Sequence, residues 1–187
     1  MSRNYKFHNE HGLYFVSFAV VNWLNVFIRN EYKEILIKSL KYCQENKGME
    51  IFAWCIMSSH VHLVFRSIEG TKPELLLGDF KRFTSKEIIK AIKENPRESR
   101  KDFLLKQFEE AGIKSSNVKN YQFWRHDNKP IELWTPKVIQ QKITYIHNNP
   151  VEEGIVFEPQ DYKYTSTVDY GGRKGMLDNI CVFEYFE

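Results

Sequence analysis

Two histidines stand two residues apart in the run Ser58-Ser59-His60-Val61-His62-Leu63-Val64-Phe65. The residues from Ser59 onward are β-branched, aromatic and alternating, which suits a strand. Successive strand side chains point to opposite faces, so His60 and His62 share one face and Val61 and Leu63 the other. Two adjacent imidazoles on a rigid strand form half of a metal site, because neutral imidazole is the commonest metal-ligating side chain. Spacing alone leaves two plainer readings open: a solvated polar face, or a pair of hydrogen-bonded histidines.

A second pair lies far along the chain, in Tyr145-Ile146-His147-Asn148-Asn149-Pro150. On a helix Tyr145 and Asn149 are four apart and fall on one face. A tyrosine can act as a nucleophile, and an amide oxygen can reach a metal. The alternative is a structural tyrosine and an asparagine capping the helix. His147, two residues from Tyr145, turns away from that face and reads as structural.

The elements that must position these residues can be read in order. Positions 13–21, opened by Gly12, form a near-continuous apolar strand of the kind found in the middle of a sheet. Positions 31–47 carry apolar residues at three- and four-residue steps and predict a helix that stops at Gly48. Two strands follow, 49–57 and 60–65, joined by a tight turn at Ser58-Ser59. A long helix is expected over 74–95, with Leu76, Phe80, Phe83, Ile88 and Ile92 on its buried side. Its other side carries Lys81, Arg82, Lys86, Lys90 and Lys93. Such a cationic face is commonly just solvated; in a DNA-binding protein, Lys81, Arg82, Lys86 and Lys90 are where phosphate contacts are expected first. A further helix is expected over 101–111, an aromatic strand over 121–124, and a short extended piece over 155–157. The helix bearing Tyr145 starts at Thr135-Pro136, with threonine as cap and proline at the first position, and is expected to end at Pro150. The Tyr- and Gly-rich tail is expected to pack over the surface.

The bulk numbers set limits. A chain of 187 residues with 42% hydrophobic and 27% charged content suits one globular domain, 1–187, with a core at about 13–157 and a tail at 158–187. A net charge of +3 permits nucleic-acid binding without demanding it. Aromatic content of 15% supplies rings for a core or for base stacking, with Phe123 and Trp124 as candidates for the latter. The odd count of three cysteines, without metal-type spacing, suggests free thiols in a reducing compartment. No apolar run approaches the roughly 20 residues that span a bilayer, and the first residues lack the apolar core of a signal peptide. A cytoplasmic protein with no membrane partner is expected.

Several motifs together resemble the single-strand DNA transposases of the HUH type, above all the REP-associated tyrosine transposases and their insertion-sequence relatives. Tyr14-Phe15-Val16-Ser17-Phe18 is similar to the family's first strand. The run from Ala53 to Val64 resembles its central histidine–hydrophobic–histidine motif. The run from Tyr145 to Val156 resembles its catalytic-tyrosine helix, and Tyr162-Lys163-Tyr164-Thr165-Ser166 the segment after it. The likeness spans about 14–172. Two features depart from it: Ser59 stands where many relatives have asparagine, and 95–120 is longer than in short relatives.

The resemblance implies a ferredoxin-like α+β fold, an antiparallel sheet with helices on one face and a C-terminal catalytic helix. The order strand–helix–strand–strand–helix points the same way independently. It further implies that His60, His62 and Asn149 bind a divalent metal, Mg²⁺ or Mn²⁺, and that Tyr145 attacks the DNA backbone to give a 5′-phosphotyrosine. The implied substrate is single-stranded or hairpin DNA, and the implied assembly a monomer or a homodimer. Three other readings compete: a hairpin-binding protein that does not cut, an unrelated two-histidine hydrolase, and a plain structural module.

Overall fold

The computed structural model describes residues 7–68, 70–115 and 120–184. Among the described residues nine α-helices and β-strands follow in order: β1 (Tyr14–Ala19), α1 (Asn30–Asn46), β2 (Met49–Ile56), β3 (His60–Ser67), α2 (Pro73–Glu94), α3 (Lys101–Ile113), β4 (Ile131–Glu132), α4 (Pro136–Glu152) and α5 (Thr167–Tyr170). The sheet order is β2-β3-β1-β4, with every neighbouring pair antiparallel. Set aside α3, and this is the β-α-β-β-α-β ferredoxin-like pattern. The fold expected from the sequence is the fold observed.

Alternation along the central strands assigns each layer. Val61, Leu63 and Phe65 are fully buried on one face, where Phe18 meets Phe80 of α2 at 6.0 Å between ring centroids. Helix α1 packs beside α2. Helix α4 covers the opposite face, over β2 and β3. One buried cluster runs from Tyr14 through Ile146 to Leu177.

Most element ends fall within two residues of expectation; the edge strand, the end of the last long helix and the tail depart from it in kind. The edge strand is Ile131–Glu132, and Trp124 makes only an isolated bridge to Val20. The segment between them follows β1 intermittently, through Arg125 N–H to Ala19 O at 2.9 Å and Ser17 N–H to Asn128 O at 3.2 Å. Asp127 to Pro130 interrupt it: Lys129 takes a φ of 42° and Pro130 has no N–H to donate.

Helix α4 begins as expected, with Val138 N–H donating to Thr135 Oγ1 at 3.3 Å. It does not end at Pro150. It runs to Glu152 and stops at Gly154, whose φ is +68°. The Gly154 N–H donates to Val151 O, and Ile155 N–H to Pro150 O, both at 2.9 Å. These are the paired bonds of a Schellman stop, which a left-handed glycine makes possible. Pro150 removes one donor in the last turn, and the helix continues through it with Pro150 and Asn149 both buried.

The tail is also more deeply set than a surface wrap. Tyr162, Tyr164, Thr165 and Ser166 are buried, Ile56 N–H donates to Tyr164 O, and Ser166 N–H donates to Trp54 O.

Candidate active site

Strand β3 holds His60 and His62 on the α4 side of the sheet. Their cross-strand neighbours are small: Ala19 lies opposite His60, and Ser17 and Cys55 flank His62. Two imidazoles therefore fit where larger neighbours would crowd them. The turn before β3 is tied down, since Met57 N–H donates to His60 O at 2.8 Å and Phe27 N–H to Ser58 O at 2.9 Å. Ser59, the departure noted from the sequence, hydrogen-bonds through Oγ to His60 Nδ1 at 3.2 Å.

The two Nε2 atoms lie 3.0 Å apart, both rings buried. Burial disfavours their charged forms. It lowers the His60 proton affinity and, together with repulsion from His60, pushes that of His62 down to about 3. Both shifts favour the neutral rings, each of which keeps one nitrogen with a lone pair.

Helix α4 brings the second pair to the same place. The Tyr145 ring stands edge-on to His62 at 5.2 Å between centroids. The residue is 39% exposed, so the ring meets both the histidine and solvent. Asn149, one turn on, is 6% exposed and its Oδ1 has no hydrogen-bond partner. Its amide lies close enough to both imidazoles and to the Tyr145 hydroxyl to act on their proton affinities. His62 Nδ1 is likewise buried without a partner.

Unpartnered buried polar atoms are rare and need a reason. Here two imidazole nitrogens and an amide oxygen converge, a donor set that suits a divalent cation. Two ligands at right angles on an octahedral ion, each about 2.1 Å from it, lie about 3.0 Å apart. The observed spacing fits that geometry, and it also fits a single N–H···N bond. Among the described residues, no group of three or more His, Cys, Asp or Glu side chains could hold a metal. The Asn149 amide oxygen could serve as a third donor beside the two imidazoles.

Two residues of this cluster were missed in the sequence. Phe15 of β1 stacks on His62 at 5.8 Å and meets Tyr145 edge-on at 6.0 Å. The Lys142 ammonium lies 4.8 Å from the Phe15 centroid and 5.6 Å from that of Tyr145. No carboxylate pairs with it among the described residues. Lys142 is three residues before Tyr145, and that helical spacing was the available signal. The Tyr145 phenol is held above its usual proton affinity, chiefly by burial and then by the charge of Glu152; Asn149 works against both.

The other expected residues lie elsewhere. Arg82, Lys86 and Lys90 are exposed on α2, across the sheet from Tyr145. Lys81 is turned inward, donating to Arg125 O at 2.8 Å and to Asn128 Oδ1, and burial brings its amine down to about 7. Phe123 and Trp124 offer no open ring face. Phe123 is fully buried, meeting Phe108 at 5.2 Å, and the buried Trp124 donates its indole N–H to Thr84 Oγ1. His147 is structural as expected, bonded through Nε2 to Ser166 Oγ at 2.9 Å.

Comparison with known proteins bears on the fold and the family. No curated protein matches the chain. The fold is similar to that of a REP-associated tyrosine transposase solved bound to a REP hairpin, with a TM-score of 0.65 and 16% identity, covering 99% of this chain and 95% of that one. A Deinococcus radiodurans R1 protein described as a transposase is similar over 79% of this chain and 95% of its own at 16% identity, but with a TM-score of 0.44 it carries no argument. The family model for IS200-like transposases matches residues 14–121, from β1 through α3, which include both histidines. The chain therefore belongs to the IS200-like transposase family and is, by class, a tyrosine transposase.

Proposed function

We propose that this transposase cleaves and rejoins single-stranded DNA through a covalent bond to Tyr145, with His60, His62 and Asn149 holding a divalent cation. The observation that carries the reading is the meeting of Tyr145 and the unpartnered Asn149 oxygen with both histidines inside one chain. The cation is Mg²⁺ or Mn²⁺; imidazole donors favour Mn²⁺. When bound, such an ion polarises the scissile phosphate and stabilises the charge that develops on it.

The chain supplies the rest. Tyr145 Oη attacks phosphorus, the bond to the 3′ oxygen breaks, and a 5′-phosphotyrosine and a free 3′-OH result. The phosphodiester energy is kept in the Tyr145 ester, so a 3′-OH can later attack it and release the tyrosine without ATP. The phenol must lose its proton first, and its exposed side lets that proton leave to water. Lys142, paired with no carboxylate among the described residues, is placed to attract an approaching phosphate. The nucleophile needs an unpaired backbone, which favours single strands or the foot of a hairpin. The hairpin bound by the structurally similar transposase supports the same substrate here. Contacts from Arg82, Lys86 and Lys90 would engage DNA across the sheet from the cleavage point.

The test is a denaturing gel of labelled hairpin DNA incubated with protein and Mn²⁺ or Mg²⁺. Wild type should give a denaturation-resistant protein–DNA band that EDTA abolishes and Tyr145→Phe lacks. Cleavage retained in Tyr145→Phe without an adduct would mean water-mediated hydrolysis at the two histidines.

A further inference from the structure

The rings expected to stack on bases are buried, but another aromatic stands open beside the histidines. Trp23 is 53% exposed, and its ring meets His60 at 5.5 Å between centroids. The Arg125 guanidinium lies over the same ring at 5.5 Å. An indole is a large apolar surface, and leaving half of it in water next to a reactive centre calls for a reason.

The backbone is shaped to present it. Asn22 and Trp23 both take φ of 54°, the left-handed region that non-glycine residues seldom enter, let alone twice running. The turn is braced from outside. Asn22 Nδ2 donates to Gln107 Oε1 of α3 at 2.9 Å, and Arg100 Nη1 donates to Asn25 O at 3.0 Å. Both braces come from the long 95–120 segment, whose purpose the sequence left open. On the inner side, Val20 N–H donates to Ser59 O and Val21 N–H to Phe123 O, each at 2.9 Å.

We infer that Trp23, with Arg125, is a stacking platform for one unpaired nucleobase of the DNA strand next to the scissile phosphate, and that α3 holds it in place. An exposed indole binds any base through its π-face, and the arginine adds a cation for the adjoining backbone. Stacking there would fix the strand's path past His60, so that the phosphate one step along faces Tyr145. This rests on the proposed function for its choice of strand, but its test does not need cleavage.

The probe is a DNA hairpin with single-stranded arms on both sides, carrying one 2-aminopurine moved along the arms position by position. Binding is measured in EDTA on a Tyr145→Phe background, so that neither metal nor covalent chemistry contributes. One position should be quenched on binding by the parent and not by Trp23→Ala. Trp23→Phe should keep most of the quench, and Trp23→Ala should bind about tenfold or more weakly. Gln107→Ala, which loosens the brace and leaves the ring intact, should reduce quenching at that same position. If no position differs between parent and Trp23→Ala, or if affinity is unchanged, the platform does not exist. A quench that depends on Trp23 in a protein that never forms the Tyr145 adduct would keep the platform and remove the nuclease reading. An adduct without the quench would do the reverse.

Discussion

On one face of β3, Val61, Leu63 and Phe65 are fully buried among apolar side chains. On the other, His60 and His62 are buried almost as deeply, beside an asparagine whose oxygen has nothing to bond. Apolar burial stabilises the first face in proportion to the area removed from water. The second face spends stability, since a buried polar atom without a partner costs about 1–3 kcal/mol. One strand thus shows both what holds this protein together and what it gives up to act. On the proposed function, a bound cation would satisfy these donors and offset that cost.

Substitutions on the two faces should separate cleanly. His62→Ala should lower DNA cleavage by at least about 10²-fold, on the scale seen when supports of a reacting centre are removed. It should cost less stability than Leu63→Ala, because the buried polar ring it removes is only partly satisfied. Leu63→Ala should instead destabilise the fold by about 2–5 kcal/mol in denaturant unfolding, the range for buried leucines. A His62→Ala protein that unfolds as easily as Leu63→Ala would erase the contrast.

Binding offers a sharper version. Titration of Mn²⁺ followed by the electron-spin signal of the free ion should show one ion bound by wild type, and affinity about 10–100-fold weaker or worse in Asn149→Ala. Equal affinity in the two proteins would remove the amide from the donor set. Within the polar face, Lys142→Met should slow cleavage by about 10–100-fold with little effect on DNA affinity, and Lys142→Arg should restore part of the rate. A loss of affinity alone would make Lys142 a binding residue.

The smallest expected effect lies on the apolar side, at Lys81. Its amine is neutralised near pH 7 in the fold but near 10.4 in the unfolded chain. Between those values the unfolded chain binds more protons, so stability contributed by this group rises with pH; below pH 7 the full penalty of burying the charge applies. The stability of wild type relative to Lys81→Met should therefore improve from pH 6.5 to 9.5, by more than about 1 kcal/mol. A gap that stays constant with pH would show that the ammonium is charged throughout, satisfied by Arg125 O and Asn128.

Much of this was legible in the sequence where a period rules. Two-residue alternation set His60 and His62 on one face, and four-residue spacing set Tyr145 above Asn149. The order of elements supported the ferredoxin-like sheet. What escaped depends on single backbone choices. Pro150 looked like a stop, but Gly154 is the stop, because only a left-handed residue completes the bonds at the end of α4. Trp23 lies in the connection between β1 and α1, where nothing in the neighbouring residues announces two successive left-handed residues. Lys81 passed for part of a cationic face, although it follows Leu77 by four residues and precedes Thr84 by three, both buried. That spacing was there to be read, and it marks the rim of the buried stripe.

The central claim concerns one atom, Tyr145 Oη, and the chain has 10 tyrosines. The direct measurement is mass spectrometry of the nuclease-trimmed, trypsin-digested covalent complex. Cleavage after Lys142 and Lys163 yields one peptide, 143–163, that contains both Tyr145 and Tyr162. The account predicts a phosphonucleotide on this peptide, with fragmentation placing it on Tyr145. A nucleotide on the buried Tyr162, on any other residue, or on no peptide while cleavage proceeds would contradict it.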